Sequence, residues 1–214
     1  MRLEIGIGLQ SANDFVREVC VNTSFDRSQF EAAIDVIHAV GALAKPYLMI
    51  KPPFLTEEEG IADVIESVAY LAELGLRSVT LCPTRVARST LAWELYQAGL
   101  YAPPNLWSVL DVVRSAHARL ETRVACINLR GTDFDSVFPE SCPTCADRIV
   151  DSLVEFSVTG DPSVFPDQCA CRPHVDMPVV SLPPVRAEVV AARMRAMLQQ
   201  LDGARRPGPS SALP

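Results

Sequence analysis

Residues 3–9 (LEIGIGL) are apolar at every position except Glu4, with glycines at 6 and 8 and isoleucines at 5 and 7. A run that is apolar on both faces fits a strand inside a parallel sheet covered by helices. The run starts at the third residue, so one of its expected neighbours is not encoded in this sequence.

The pattern then takes up helical spacing. Residues 12–21 read as a short helix, with Asn13 or Asp14 near its start. Residues 26–40 read as a longer one: Asp26 suits the N-cap, Phe30, Ala33, Ile34, Ile37 and Val40 share a face, and Gly41 follows the end. Residues 42–51 predict a second strand, stopped by Pro52-Pro53. Thr56 followed by Glu57, Glu58 and Glu59 opens a helix that runs to Leu74 and ends at Gly75. Residues 78–82 make a third strand closed by Pro83. Helices at 89–98 and 106–120 flank Pro103-Pro104, and 123–129 is a fourth strand.

Strand–helix alternation of this kind means a parallel sheet with right-handed crossovers. The expected fold class is α/β, a partial (half) β/α barrel followed by a C-terminal cysteine-knuckle extension. Beyond Arg130 a polar loop leads to Cys142, and a helix at 146–158 ends in the turn Thr159-Gly160-Asp161-Pro162. A second cysteine pair and an amphipathic helix at 183–201 follow, and 204–214 has the composition of a disordered tail. The expected organisation is 1–130 partial barrel, 131–180 cysteine-rich segment, 181–203 C-terminal helix and 204–214 tail.

Composition narrows this picture little. With 49% hydrophobic residues in 214, the chain is globular and has enough apolar matter for a sizeable core. Its net charge of −7 argues against a non-specific grip on polyanions, leaving room for a local basic patch. No apolar run approaches the roughly 18 residues of a membrane span, and the N-terminus lacks a signal-peptide pattern. No membrane association is expected, and a cytoplasmic location is.

The seven cysteines fall into two sets. Cys20, Cys82 and Cys126 lie among apolar residues and read as buried thiols. Cys142-Pro-Thr-Cys145 and Cys169-Ala-Cys171 are two close pairs about one helix apart, the spacing of a four-thiolate zinc knuckle. The second pair has one intervening residue where two to four is usual, and His174 is a spare ligand nearby. Two disulfides, free thiols or an iron–sulfur cluster are the alternatives. A zinc site with four protein ligands is structural, because it leaves no open position for water or substrate.

Parallel sheets bind ligands at the carboxyl ends of their strands. Those ends carry Gln10-Ser11, Lys51-Pro52-Pro53, Cys82-Pro83-Thr84-Arg85, and Asn128 with Arg130. Together they form a polar rim with three cations, suited to an anionic or carboxylate-bearing ligand. Trp93, Tyr96, Tyr101 and Trp107 read as core and turn packing, His38 and His117 as ordinary helix histidines, and Glu57–Glu59 as a helix N-terminal charge cluster.

The segment Glu4-Ile-Gly-Ile-Gly-Leu-Gln-Ser11 is similar to the fourth-strand motif of radical SAM enzymes related to the Elongator catalytic subunit. Lys45-Pro-Tyr-Leu-Met-Ile-Lys-Pro-Pro-Phe-Leu-Thr-Glu57 and Tyr101-Ala-Pro-Pro-Asn-Leu-Trp-Ser-Val109 resemble the radical SAM proteins of archaeosine biosynthesis, which modify a deazaguanine base in tRNA. Phe156-Ser-Val-Thr-Gly-Asp161 and the four late cysteines fit the same family, so the resemblance runs from about 3 to 171.

The resemblance implies a (β/α) barrel, with S-adenosylmethionine (SAM) bound near Gln10 and Ser11 and with Lys51 at the mouth beside it. Cys142, Cys145, Cys169 and Cys171 would be the family's zinc-like tail element. Such enzymes hold a [4Fe–4S] cluster on a Cys-x3-Cys-x2-Cys loop, and no such triplet occurs here. The resemblance therefore implies the C-terminal portion of a radical SAM enzyme, acting on a tRNA or nucleobase-like substrate. It would be inactive alone, with no catalytic residue of its own, and a partner chain or missing N-terminal half would carry the cluster. A degenerate metal-binding scaffold is the alternative, and an unrelated small α/β enzyme the third.

Overall fold

A computed structural model describes residues 3–120, 123–131, 135–172 and 182–205. Four parallel strands, β1 (Glu4–Gln10), β2 (Leu43–Ile50), β3 (Ser78–Pro83) and β5 (Arg123–Cys126), form one sheet in the order β1-β2-β3-β5. Between them run α1 (Arg27–Ala39), α2 (Glu57–Glu73), α3 (Leu91–Gln97) and α4 (Leu106–Leu120). Two short strands, β4 (Val86–Ala87) and β6 (Ser136–Val137), pair antiparallel in a small second sheet that the hydrophobic pattern did not announce. Then come α5 (Ala146–Thr159) and α6 (Ala187–Arg205). The parallel α/β architecture and the cysteine-bearing extension are those expected from the sequence.

One sheet face is the core. Leu9, Leu48, Ile50, Val79, Leu81 and Val124 are buried there against Ile61, Val64, Val68, Leu110, Val113 and Leu153 of the helices. A second cluster joins Val16, Phe54, Leu95 and Tyr101 to Val190, Met197 and Leu201 of α6, which is also tied down by Arg193 on Glu59.

The helix starts follow their capping chemistry. Asp26 and Thr56 each accept an N–H from the third residue of the helix, while Gln29 and Glu59 reach back to the caps. Gly160 ends α5 in the left-handed region, at φ 71°.

Four expectations change. β1 is an outer strand among the described residues, paired only with β2 as the sequence suggested, but its burial differs. It is half-buried, covered on both faces nowhere along its length: Leu9 is enclosed, whereas Glu4 and Gly6 are exposed. The glycines serve the open face, because a Cβ on Gly6 would lie 2.6 Å from the Tyr47 ring and one on Gly8 2.7 Å from the Gln10 amide.

Residues 12–21 form a π-helical turn at Val16–Cys20 in place of an ordinary helix. The wider turn accommodates Arg17, whose side chain is fully buried, with its guanidinium on the carbonyls of Ser11 and Phe25. The strand expected at 123–129 stops at Cys126, and Asn128 turns the backbone at φ 62°. The last helix spans Ala187–Arg205 rather than 183–201. His174 and residues 206–214 of the expected tail lie outside the described residues.

Candidate metal centre and strand-end rim

The two cysteine pairs come together. Cys142 closes a turn in which its carbonyl accepts the N–H groups of Cys145 and Ala146, which places Cys145 at the start of α5. Cys145 is buried, and the other three are half-buried. Sγ–Sγ distances are 3.5 Å for Cys142–Cys145, 3.6 Å for Cys142–Cys169 and 3.3 Å for Cys145–Cys171. All four sulfurs lie within 4.8 Å of one another.

A disulfide would need about 2.05 Å, so none is formed. Four thiolates about 2.3 Å from a tetrahedral ion would stand about 3.8 Å apart, so the donor set and spacing fit a single metal ion. Ser141 and Trp107 contact the sulfurs. The Ser141 hydroxyl contacts Cys145 at 3.3 Å and Cys171 at 3.5 Å, and the Trp107 indole N–H donates to Cys171 at 3.4 Å. The Ser141 and Trp107 contacts hold the Cys171 thiol down to about 5, whereas burial pushes Cys145 up to about 11. Arg172 stacks over Trp107 at 5.0 Å and pairs with Asp111 at 2.7 Å, so the centre is packed onto α4.

Cys20, Cys82 and Cys126 stand apart from this group. Burial raises all three thiols, Cys20 to about 12 and Cys82 to about 11, as expected of thiols held in apolar surroundings.

At the sheet's carboxyl edge, Gln10 ends β1 and Lys51 and Asn128 follow their strands, with φ of 67°, 55° and 62°. Non-glycine residues in this region cost about 1 kcal/mol or more each and cluster at ligand sites. Gln10 lies over Gly8 on the open face of the sheet, at a register shift between Gly8 and Gln10. Ser11 is wholly buried: its hydroxyl donates to Asp63 at 2.6 Å and accepts the Asn13 N–H at 3.0 Å.

The rim cations do not stand unpaired. Lys51 meets Glu57 at 2.7 Å and Arg130 pairs with Asp151 of α5, while Arg85 lies over the Phe138 ring at 6.0 Å. Lys51, Glu57, Asn105, Phe138 and Glu140 line a cavity of about 280 Å³. Trp107 and Tyr101 are buried as packing residues, as the sequence suggested. Their polar tips escaped that reading, and so did the bond that the Asn105 N–H donates to Glu57 at 2.8 Å. Ser141 could have been noticed only by its place beside Cys142.

No family model matches the chain. It is 31% identical over 177 residues to the archaeosine synthase subunit beta of Methanosarcina acetivorans, covering 79% of this chain and 49% of that one. It is 32% identical over 165 residues to the archaeosine synthase subunit beta of Thermococcus kodakarensis, covering 74% and 48%. An uncharacterized protein of Methanocaldococcus jannaschii is 28% identical over 174 residues, covering 80% and 47%. The chain thus spans about half the length of these curated relatives.

Among solved structures, Methanocaldococcus infernus Elp3 superposes with a TM-score of 0.54 at 13% identity, over 74% of this chain and 36% of that one. At that identity the likeness is one of fold. The fold is a parallel α/β unit shared with part of Elp3, carrying a four-cysteine extension. The chain is similar to these archaeosine synthase β subunits over about half of their length. No described helix is long and apolar enough to cross a membrane.

Proposed function

We propose that this chain is the C-terminal portion of a radical SAM enzyme that modifies a tRNA base in the cytoplasm. Its cluster loop would lie in a partner chain or in polypeptide outside these residues. The observation that carries the reading is kinship to two archaeosine synthase β subunits across about three quarters of a chain that has no Cys-x3-Cys-x2-Cys triplet. Among the described residues one edge of β1 is unpaired, which supports it, since a strand supplied from elsewhere would continue the parallel sheet.

In this reading the cluster supplies the electron that cleaves SAM, and the chain's own residues bind and orient. Gln10 holds the cofactor at the sheet's open face, and Lys51 lines the mouth beside it. Ser11 acts from beneath, fixing the turn after β1 through Asp63. Cys142, Cys145, Cys169 and Cys171 hold a structural zinc ion, whose four protein ligands leave no position for substrate.

The test is anaerobic purification with metal analysis, followed by SAM cleavage assays with and without a segment carrying the triplet. The expected result is about one zinc and no iron per chain, with cleavage appearing only when that segment is added. Zinc without cleavage under any combination would favour a degenerate binding scaffold. Iron with unaided SAM cleavage would overturn the reading.

A further inference from the structure

The geometry points to a mechanical link between the four-thiol centre and Lys51, so that the centre acts as a positioning element for the strand-end cavity. The proposal rests on the metal reading above and adds to it what the metal does for the rest of the molecule.

The link is continuous and built from named bonds. The Trp107 indole N–H donates to Cys171 at 3.4 Å, and its backbone N–H donates to Asn105 Oδ1 at 2.9 Å. The Asn105 N–H donates to Glu57 Oε1 at 2.8 Å, and Glu57 Oε2 lies 2.7 Å from Lys51 Nζ. A second strand of the same connection runs through the backbone. Asn105 bridges to Glu140, and the Leu106 N–H donates to the Glu140 carbonyl at 3.1 Å, two residues before Cys142.

Both routes meet at the first turn of α4, where otherwise orphaned amides take these partners. The loop leading into that turn closes over Lys51. The Pro103 carbonyl accepts from Nζ at 3.5 Å, the Tyr101 hydroxyl donates to the Lys51 carbonyl at 2.7 Å, and the Tyr101 ring lies 5.6 Å from the ammonium. Lys51 also holds a left-handed backbone, a conformation that persists only where its surroundings enforce it. Loosening the thiol centre therefore frees the α4 entry loop, and with it the ammonium.

The sequence offers an internal standard, since Lys45 and Lys51 are its only lysines. Reductive methylation of the full chain, read by peptide mass spectrometry, gives the ratio of Lys51 to Lys45 modification. Glu57→Gln removes the direct partner and sets the upper end of the scale. In the metal-loaded protein, Trp107→Phe keeps all four thiols and is expected to raise the ratio at least about threefold, toward the Glu57→Gln value. Trp93→Phe, outside the network, is expected to leave it unchanged. Chelation of the wild-type protein is expected to raise it as Trp107→Phe does.

A Trp107→Phe protein that keeps its metal and circular dichroism but has the wild-type ratio overturns the proposal. Should the chain take up no metal at all, the metal reading fails, and the comparison of wild type with Trp107→Phe still decides the link. If Trp107→Phe does not fold, Asn105→Ala takes its place with the same two outcomes.

Discussion

Asp63 is the residue whose chemistry is least like its reference state. It is 1% exposed, and its Oδ2 has no partner among the described residues. Burial drives its pKa up, against the pull of the Ser11 hydrogen bond and with a push from Glu66, to about 7 from 3.8. A raised carboxyl contributes its full share of stability below the unfolded value, where both states hold the proton. That share is lost as pH rises toward the folded value, because the unfolded chain ionises first. Thermal stability is therefore expected to decline across roughly pH 4 to 7 from this group, and Asp63→Asn to flatten the decline and raise Tm at neutral pH. Melting curves at several pH values check it; equal slopes in both proteins would assign the effect elsewhere. Nothing in the pattern around position 63 marked it, because an acidic residue on a helix is ordinarily solvated, whereas here the turn after β1 meets α2 through Ser11 and Ala12.

At the scale of elements, α2 carries the most information per residue. Its start was legible, since Thr56 and Glu59 form the reciprocal cap that the sequence implies. Thr56→Ala is expected to cost about 1 kcal/mol in chemical denaturation. Gly60 was not legible. A Cβ there would lie 2.7 Å from both Cα and Cβ of Lys51, so α2 and the strand end touch backbone to backbone. Helix propensity alone would favour Gly60→Ala by about 1 kcal/mol, whereas forcing a methyl into a packed contact costs about 1–3 kcal/mol. The clash is with backbone and should win. The variant is expected to be less stable than wild type in urea titration, and a more stable one would show that the contact yields.

The π turn at Val16–Cys20 shows the same limit of local reading. Apolar spacing marked a helix there, while the turn is π-helical and encloses the buried Arg17.

For the whole molecule, the thiol centre joins parts that are far apart in sequence. Cys169 and Cys171 come from the segment beyond α5, Cys142 and Cys145 from before it, and Trp107 and Asp111 from α4. Metal removal is accordingly expected to lower Tm, as is Cys145→Ser, with the melting curve recovering in the wild type alone when zinc is restored. With thiolates as the proposed ligands, metal should be retained at neutral pH and released as protons compete at low pH. Titration with a colorimetric zinc chelator at falling pH follows that release directly. Retention unaffected by acid would exclude thiolate ligation.

The parallel α/β alternation, the capped helix starts and the pairing of late cysteines were determined by the chain alone. Each depends on residues within a few positions of one another, where periodicity, capping and ligand spacing act. Only the tertiary structure decided that β1 would be half-covered and that Ser11 would turn inward to Asp63. It also decided that Lys51, Glu57, Asn105 and Trp107 would line up behind Cys171. Ser11–Asp63, Glu57–Asn105 and Trp107–Cys171 join residues about 50 or more positions apart, where the partner of a polar group is chosen by how the layers pack.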